Sequence, residues 1–401
     1  MKYILWPAAV LLGISFAPAE EKPSINHQHM EHQTNTIRLI YPQWQGGVVS
    51  HWMPDLPAED AARGYYLGAQ LLRMLAPESS QKTVEVPVSL DTGERKVEKG
   101  ISDRSAILAQ TKAALEKLRK NNPDKIVTLG GECSVSVVPF TYLAGKYPDD
   151  VAVVWIDAHP DINLPGDEYK GYHAMALAAC MGMGDEEIMK LLPGKVDASK
   201  VLIAGLRAWE KDGGTKERQK SLNIKSLSPA ELAGSSDAVL NWLEERGVSR
   251  VLIHFDLDVL DPAEIIAGVG VEPGGMKISE VVRVINDIAA RYDVVGLTVA
   301  EPMPRLAIKI KNMLNQLPPA EAGCPASPRR TGNGSMSRIP PFIPAICERQ
   351  APEEEGTPVF LPFQRPCCYI PAESEVQESS SVRGRSRYTL SRRRTCSGTA
   401  R

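Results

Sequence analysis

Several residue types are scarce in this sequence of 401 residues, and each scarcity excludes a class of protein. Of the 7 cysteines, only Cys133 and Cys180 precede residue 318, so the body of the chain is not a disulfide scaffold. Basic residues are not in excess, since 46 Lys and Arg stand against 49 Asp and Glu, which argues against nucleic acid as a partner. No apolar run approaches the roughly 20 residues of a membrane helix, so we expect no membrane partner.

The last part of the chain, residues 318–401, lacks whole residue types. It has 12 Arg but no Lys, 8 Glu but no Asp, and 12 Pro. Without apolar periodicity it has no face to bury, and we expect a disordered tail. This composition favours a gene-model artefact over an interaction arm, which is the alternative.

The amino-terminal residues allow two interpretations. Lys2, the apolar run from Ile4 to Phe16 and the following Ala17-Pro18-Ala19 fit a secretory signal cleaved after Ala19, whereas Met30 offers a later start. We favour a cytoplasmic protein and expect secretion if residues 1–19 are a true signal. The sequence thus divides into an extension (1–30), one folded domain (31–317) and the tail (318–401).

Within the folded domain, short apolar segments alternate with segments of helical periodicity. We predict strands at Ile37–Tyr41, Val84–Val88, Lys125–Leu129, Val151–Ile156, Val201–Ala204, Arg250–Phe255 and Val294–Val299. Among the predicted helices, three are long: Ala58–Leu75, Ser102–Asn121 and one from the Ser228 cap to Arg246. Strands alternating with helices predict an α/β fold with one doubly wound parallel sheet, and Pro87 places Val84–Val88 near an edge.

Two of the apolar strands end in acidic motifs. The first runs into Asp157-Ala158-His159-Pro160-Asp161 and the second, about a hundred residues later, into Asp256-Leu257-Asp258. Parallel sheets build their sites at the carboxyl ends of their strands, so these side chains should converge. Four carboxylates that close cannot all stay ionised unaided, and two divalent cations would neutralise them.

The donor types also favour a metal site. Carboxylate oxygens with an imidazole suit manganese, with zinc, iron or cobalt as further candidates. A lone Asp-x-Asp after a strand is more often a turn or a helix cap. Two such motifs, each after an apolar strand, are hard to explain as unrelated turns, so we prefer the metal interpretation.

Together with two further segments, these motifs resemble the ureohydrolases, the family of arginases and agmatinases. The matching segments are Gly130-Gly131-Glu132-Cys133-Ser134, Asp157-Ala158-His159-Pro160-Asp161, Phe255-Asp256-Leu257-Asp258 and Glu301-Pro302. The resemblance covers roughly residues 37–317. It implies a three-layer α/β/α domain around a central, mostly parallel sheet, a binuclear manganese centre, assembly as trimers or hexamers, and hydrolysis of a guanidinium group to urea and an amine.

The resemblance also assigns the metal ligands. Five of them match directly: Asp157, His159, Asp161, Asp256 and Asp258. The sixth family ligand is a histidine in Gly-Gly-Asp-His-Ser, and Cys133 occupies its position here. A thiolate could still bind a metal and would shift the preference from manganese towards zinc, iron or cobalt. The alternative is that Cys133 is a small packed thiol.

The remaining site residues are likewise assigned by resemblance. His173 matches a proton-shuttling histidine, and Glu301 matches the carboxylate that grips the substrate guanidinium. We count both with Asp161 as catalytic. Asn163 matches an asparagine that contacts the substrate α-carboxylate, and Glu210 is a candidate for the α-ammonium group. The serine expected before His173 is absent, and Glu168-Tyr169-Lys170-Gly171-Tyr172 stands there instead.

The resulting hypothesis is a binuclear metal hydrolase, an arginase in the first place, acting on a small guanidino substrate. An agmatinase or another guanidino-acid hydrolase is the nearest alternative. From another class, a non-catalytic structural or regulatory homologue stays open, because Cys133 departs from the family pattern.

Overall fold

The computed structural model of the protein describes residues 34–209 and 214–317. The strands there are β1 Thr36–Tyr41, β2 Lys82–Glu85, β3 Val97–Glu98, β4 Ile101–Ser102, β5 Lys125–Gly130, β6 Val151–Ile156, β7 Val201–Ala204, β8 Lys225–Leu227, β9 Arg250–Asp256 and β10 Asp293–Ala300. The α-helices are α1 Ala58–Ala62, α2 Gly64–Leu75, α3 Arg104–Asn121, α4 Val137–Lys146, α5 Ala176–Cys180, α6 Glu186–Met189, α7 Gly214–Ser221, α8 Pro229–Leu232, α9 Asp237–Arg246, α10 Ile278–Ala289 and α11 Arg305–Leu314. In this part of the chain no helix combines the length and apolar character needed to span a membrane. The predicted extension, the tail and Glu210 fall outside it.

Eight strands form one sheet in the order β2-β1-β5-β10-β9-β6-β7-β8, and all of its pairings are parallel. The short strands β3 and β4 form a separate antiparallel pair. The sheet confirms the predicted α/β fold. Its edge strand β2 overlaps the predicted segment Val84–Val88, but it begins two residues earlier and ends three residues earlier than predicted.

Strand β6 shows why the fold has three layers. All six of its residues are buried, as expected for a strand with both faces covered. Alternate residues enter two different apolar clusters, Val151, Val153 and Trp155 on one side and Ala152, Val154 and Ile156 on the other. The first cluster includes side chains of α3, α4 and α5, and the second includes side chains of α9 and α10. Helices therefore cover both faces of the sheet.

Two of the long predicted helices are wrong as single elements. The segment 58–75 breaks at Arg63 into α1 and α2, where Gly64 packs so tightly that a Cβ atom would lie 2.2 Å from the Met303 sulfur. The segment from Ser228 to Arg246 breaks into α8 and α9 around Gly234-Ser235-Ser236. Glycine and serine have weak helix propensity, and neither break contains a proline that would have signalled it.

Candidate metal centre

The register of the sheet brings the acidic residues to one edge. Ile156 of β6 pairs with Phe255 of β9, so Asp157 and Asp256 come next on two adjacent strands. On the other side of β9, Ala300 of β10 pairs with Asp256, and Glu301 follows it. Three neighbouring strands thus deliver three carboxylates to the same edge, with Glu301 one residue beyond the level of Asp157 and Asp256. This is the convergence at the carboxyl edge that the sequence predicts.

The loops after β6 and β9 hold their first aspartates in the same way. One oxygen of Asp157 accepts the backbone N–H of His159 at 2.7 Å, and one oxygen of Asp256 accepts the backbone N–H of Asp258 at 2.7 Å. The other oxygen of Asp157 accepts the indole N–H of Trp155 at 2.8 Å. These bonds fix both carboxylates before any ligand is present.

Donor atoms from these loops form three compact groups, in each of which every donor lies within 4.8 Å of the others. The groups are Asp157, His159 and Asp258; Cys133, Asp157, His254 and Asp256; and Cys133, His173 and Glu301. Asp157 links the first two groups and Cys133 links the last two. Five of the six predicted ligands therefore meet, and His254 joins them, whereas Asp161 belongs to none of the three groups.

Individual distances show how close the contacts are. The Nδ1 atom of His159 lies 3.0 Å from Oδ2 of Asp258 and 3.6 Å from Oδ1 of Asp157. The sulfur of Cys133 donates to Oδ2 of Asp256 at 3.0 Å and lies 3.5 Å from Oε1 of Glu301. Asp161 adopts a left-handed backbone conformation, with φ of 47°, and its buried Oδ2 has no hydrogen-bond partner among the described residues.

The raised pKa values of three aspartates in this group indicate that it lacks compensating positive charge. Burial, reinforced by the charge of Asp258, raises the pKa of Asp157 to about 6. Burial and neighbouring carboxylates also raise the pKa values of Asp161 and Asp256. Only Asp258 has a lowered pKa, because the attraction of His159 outweighs its burial. The buried Oδ2 of Asp161 and the hard oxygen donors fit divalent cations, which would replace the protons as compensating charge.

Cys133 lies in a short 3-10 turn after β5, and its backbone N–H donates to Glu301 at 3.2 Å. Burial, with the nearby charge of Asp161, raises the pKa of its thiol, so without a cation the group is a neutral donor. A dication bound beside it would reverse that preference. Its role as a ligand stays a prediction.

His173 and Glu301 form a pair beside the acidic cluster. Nδ1 of His173 lies 3.2 Å from Oε1 of Glu301, and its Nε2 lies 2.6 Å from the hydroxyl of Tyr169. Burial opposes protonation of His173, but the charge of Glu301 prevails and raises the pKa of the imidazole. Tyr169 in turn stacks on the half-exposed Trp52, with ring centroids 5.6 Å apart.

Asn163 and Glu210 were predicted to bind the α-carboxylate and the α-ammonium group of the substrate, and the structure describes only Asn163. Asn163 is buried, and its backbone N–H donates to the carbonyl of Ala174 at 2.8 Å. Its contact with a substrate carboxylate stays a prediction. Glu210 lies outside the described residues.

Three neighbours of the centre were missed from the sequence: Tyr169, His254 and Glu272. Oε1 of Glu272 lies 3.6 Å from Nε2 of His159. Arg207 holds the loop that contains Glu272 against the loop after β9, because its guanidinium donates to the carbonyls of Glu272 and Asp258 at 2.9 and 3.0 Å. The sequence offered one signal for Glu272. It lies within Gly270-Val271-Glu272-Pro273-Gly274, whose glycines and proline favour a tight turn, and such a turn can bring an acidic side chain back to the site.

Comparison with known proteins agrees with this geometry. The model of the Arginase family matches residues 64–315, which is more than half of the chain. The arginase of Saccharomyces cerevisiae is 29% identical over 228 residues, covering 52% of this chain and 67% of that protein. The arginase of Staphylococcus aureus strain COL is 30% identical over 151 residues, covering 36% of this chain and 49% of that protein. The chain thus spans from about half to two thirds of the length of these relatives.

A solved structure is similar in fold. The crystal structure of Entamoeba histolytica arginase in complex with L-ornithine superposes with a TM-score of 0.55 at 18% identity, covering 70% of this chain and 96% of that chain.

Proposed function

Since this chain belongs to the arginase family, we propose that it is a metal-dependent ureohydrolase that converts L-arginine and water to L-ornithine and urea. One observation carries the proposal. Donor atoms from the loops after β6 and β9 converge in a buried group, directly beside the pair formed by His173 and Glu301. A cluster of acids alone would support a metal site, and the adjacent pair supports chemistry on a cationic substrate.

The proposed ligands of two divalent cations are Cys133, Asp157, His159, Asp161, Asp256 and Asp258. Manganese is the first candidate, and zinc, iron or cobalt stay open because sulfur is a softer donor. When bound, the cations would lower the pKa of water towards neutrality and so supply the nucleophile. The bonds from Trp155 and from the loop N–H groups keep Asp157 and Asp256 in place for them.

Glu301 is the proposed anchor of the substrate guanidinium. A carboxylate and a guanidinium form two parallel hydrogen bonds, which fix the plane of the substrate. Glu301 is buried, and its backbone has a left-handed φ of 62°. Because its Oε1 accepts the backbone N–H of Cys133, the carboxylate is held next to the cluster.

His173 is the proposed proton carrier. In the reaction the water oxygen bonds to the guanidinium carbon and gives up its two protons, the bond from that carbon to the side-chain nitrogen breaks, and the departing nitrogen takes up two protons to leave as an ammonium group. The raised pKa of His173 keeps the imidazole protonated towards neutral pH, so that it can supply one of these protons.

L-Arginine is preferred over agmatine on the strength of Asn163, because agmatine lacks the α-carboxylate that this residue would contact. The test measures urea released from L-arginine, agmatine and a guanidino acid without an α-amino group. The protein is first stripped of metal and then loaded with manganese, cobalt, zinc or iron. We expect the fastest release from L-arginine and none from Asp256→Asn, the control. Faster release from agmatine would overturn the choice of substrate.

A further inference from the structure

His254 occupies the middle of β9, two residues before Asp256 and therefore on the same face of the strand. The residue is fully buried, and its Nε2 atom has no hydrogen-bond partner among the described residues. Buried polar atoms are nearly always paired, so this nitrogen requires an explanation.

The imidazole ring is held from two sides. Its Nδ1 lies 2.8 Å from the hydroxyl oxygen of Ser136. Its face stacks on Trp155, the residue opposite it on β6, with ring centroids 3.6 Å apart and planes 11° apart. If Nδ1–H donates to Ser136, the lone pair lies on Nε2. Histidines that bind metals are commonly oriented in this way, by a hydrogen bond from the other ring nitrogen.

The donors near His254 form two groups with similar residue types. One group of donors within 4.8 Å contains Cys133, Asp157, His254 and Asp256, and a second contains Asp157, His159 and Asp258. The groups share Asp157, and each contains one imidazole. If each group held one cation, each cation would then have a nitrogen donor. Without His254, the group that contains Cys133 offers only a thiol and two carboxylates.

We propose that Nε2 of His254 is a metal ligand, and that it returns an imidazole to the metal position where Cys133 replaces the histidine of the family motif. The assignment rests on the proposed function for the existence of a two-cation centre. It accounts for the unpaired Nε2, for the ring orientation set by Ser136, and for the tolerance of cysteine at residue 133.

A competing explanation is a buried water. Thr298 is the neighbour of His254 across β9 and β10, and its hydroxyl also has no partner among the described residues. A water molecule between that hydroxyl and Nε2 would satisfy both groups and leave His254 with no part in metal binding. The two explanations predict different metal contents.

The first test counts bound cobalt per chain at defined free cobalt. His254→Phe keeps an aromatic ring on Trp155 without any nitrogen, and His254→Asn keeps an atom that can bond Ser136 but cannot reach the centre. His51→Phe removes an exposed imidazole and is the matched control. We expect two ions in the wild type and the control, and at least tenfold weaker binding of one ion in both His254 variants. Two ions at wild-type affinity in both variants would overturn the proposal and favour the water.

A second test does not require a His254 variant to fold. In the cobalt-loaded double variant His159→Asn, His173→Asn, X-ray absorption should still detect scattering from an imidazole ligand. Bound cobalt without that scattering would overturn the proposal.

Urea release separates this proposal from the proposed function. A wild-type protein that binds two ions but releases no urea would refute the function and leave the ligand assignment intact. Urea release together with wild-type metal binding in the His254 variants would refute only the ligand assignment.

Discussion

Removing the metals should make the folded protein lose stability as the pH rises from about 4 to 7. Asp157, Asp161 and Asp256 have raised pKa values in the metal-free protein because of their burial and mutual repulsion. A carboxyl whose pKa is raised by folding stabilises the fold below its unfolded pKa, and that stability is lost as the pH rises through the folded pKa. Asp258, whose pKa is lowered, acts in the opposite direction only below about pH 4.

The magnitude follows from Asp157 alone. Its pKa stands at about 6 instead of the usual 3.8, and at about 1.4 kcal/mol for each tenfold change in proton affinity this amounts to about 3 kcal/mol. For a domain of this size, about 3 kcal/mol corresponds to a fall in Tm of roughly 6–12 °C. Asp161 and Asp256 add to the fall in the same direction.

The assay is thermal unfolding of the chelator-treated protein between pH 4 and pH 7, with and without added manganese. Manganese should remove most of the fall, because the cations replace the protons as compensating charge. Asp157→Asn is the control, since an amide cannot ionise. Between pH 4 and pH 7 its free energy of unfolding should fall by about 3 kcal/mol less than that of the wild type. A Tm that stays level or rises over this range in the metal-free wild type would refute the proposed electrostatics of the centre.

Further variants test single residues of the site. Asp161→Asn and Asp256→Asn should each abolish urea release while the circular dichroism of the protein stays unchanged, because they remove charge and little packing; turnover in both would refute the two-cation mechanism. Alkylation of Cys133, followed by peptide mapping, should slow when metal is bound, whereas full metal content and an unshifted pH profile in Cys133→Ala would show a packing role. Tyr169→Phe should lower kcat several-fold and move the pH limb of His173 to lower pH, because the hydroxyl 2.6 Å from its Nε2 can accept a hydrogen bond from the imidazolium and so stabilise it. An unchanged pH profile would mean that Tyr169 only packs.

The parallel sheet and the acidic edge could be predicted because their signals are local. The apolar run of β6 is buried on both faces, so its period and length mark it as a strand, and the register then places Asp157 beside Asp256. A pattern of this kind depends on few distant contacts. The assignment of His173 and Glu301 came from the family motifs, and the structure brings their side chains within 3.2 Å of each other.

The features that were missed depend on contacts between distant parts of the chain. The break before Gly64 reflects tight packing against Met303, which lies 239 positions later in the numbering. Glu272 approaches His159 because Arg207 fastens the intervening loop, and Tyr169 reaches His173 because Gly171 leaves room for its ring. In the sequence His254 is indistinguishable from a core histidine. Two structural observations suggest a ligand: one of its ring nitrogens lies within 4.8 Å of the other donors, and its Nε2 has no hydrogen-bond partner among the described residues.

The most direct test of the two-cation ureohydrolase is a titration of the metal-free protein with manganese, in which bound ions per chain and urea release from L-arginine are measured on the same samples. The proposed mechanism predicts no urea from the metal-free protein and a maximal rate when two ions are bound, with one ornithine formed for each urea. Urea release without metal, or two bound ions without urea from any guanidino compound, would contradict it.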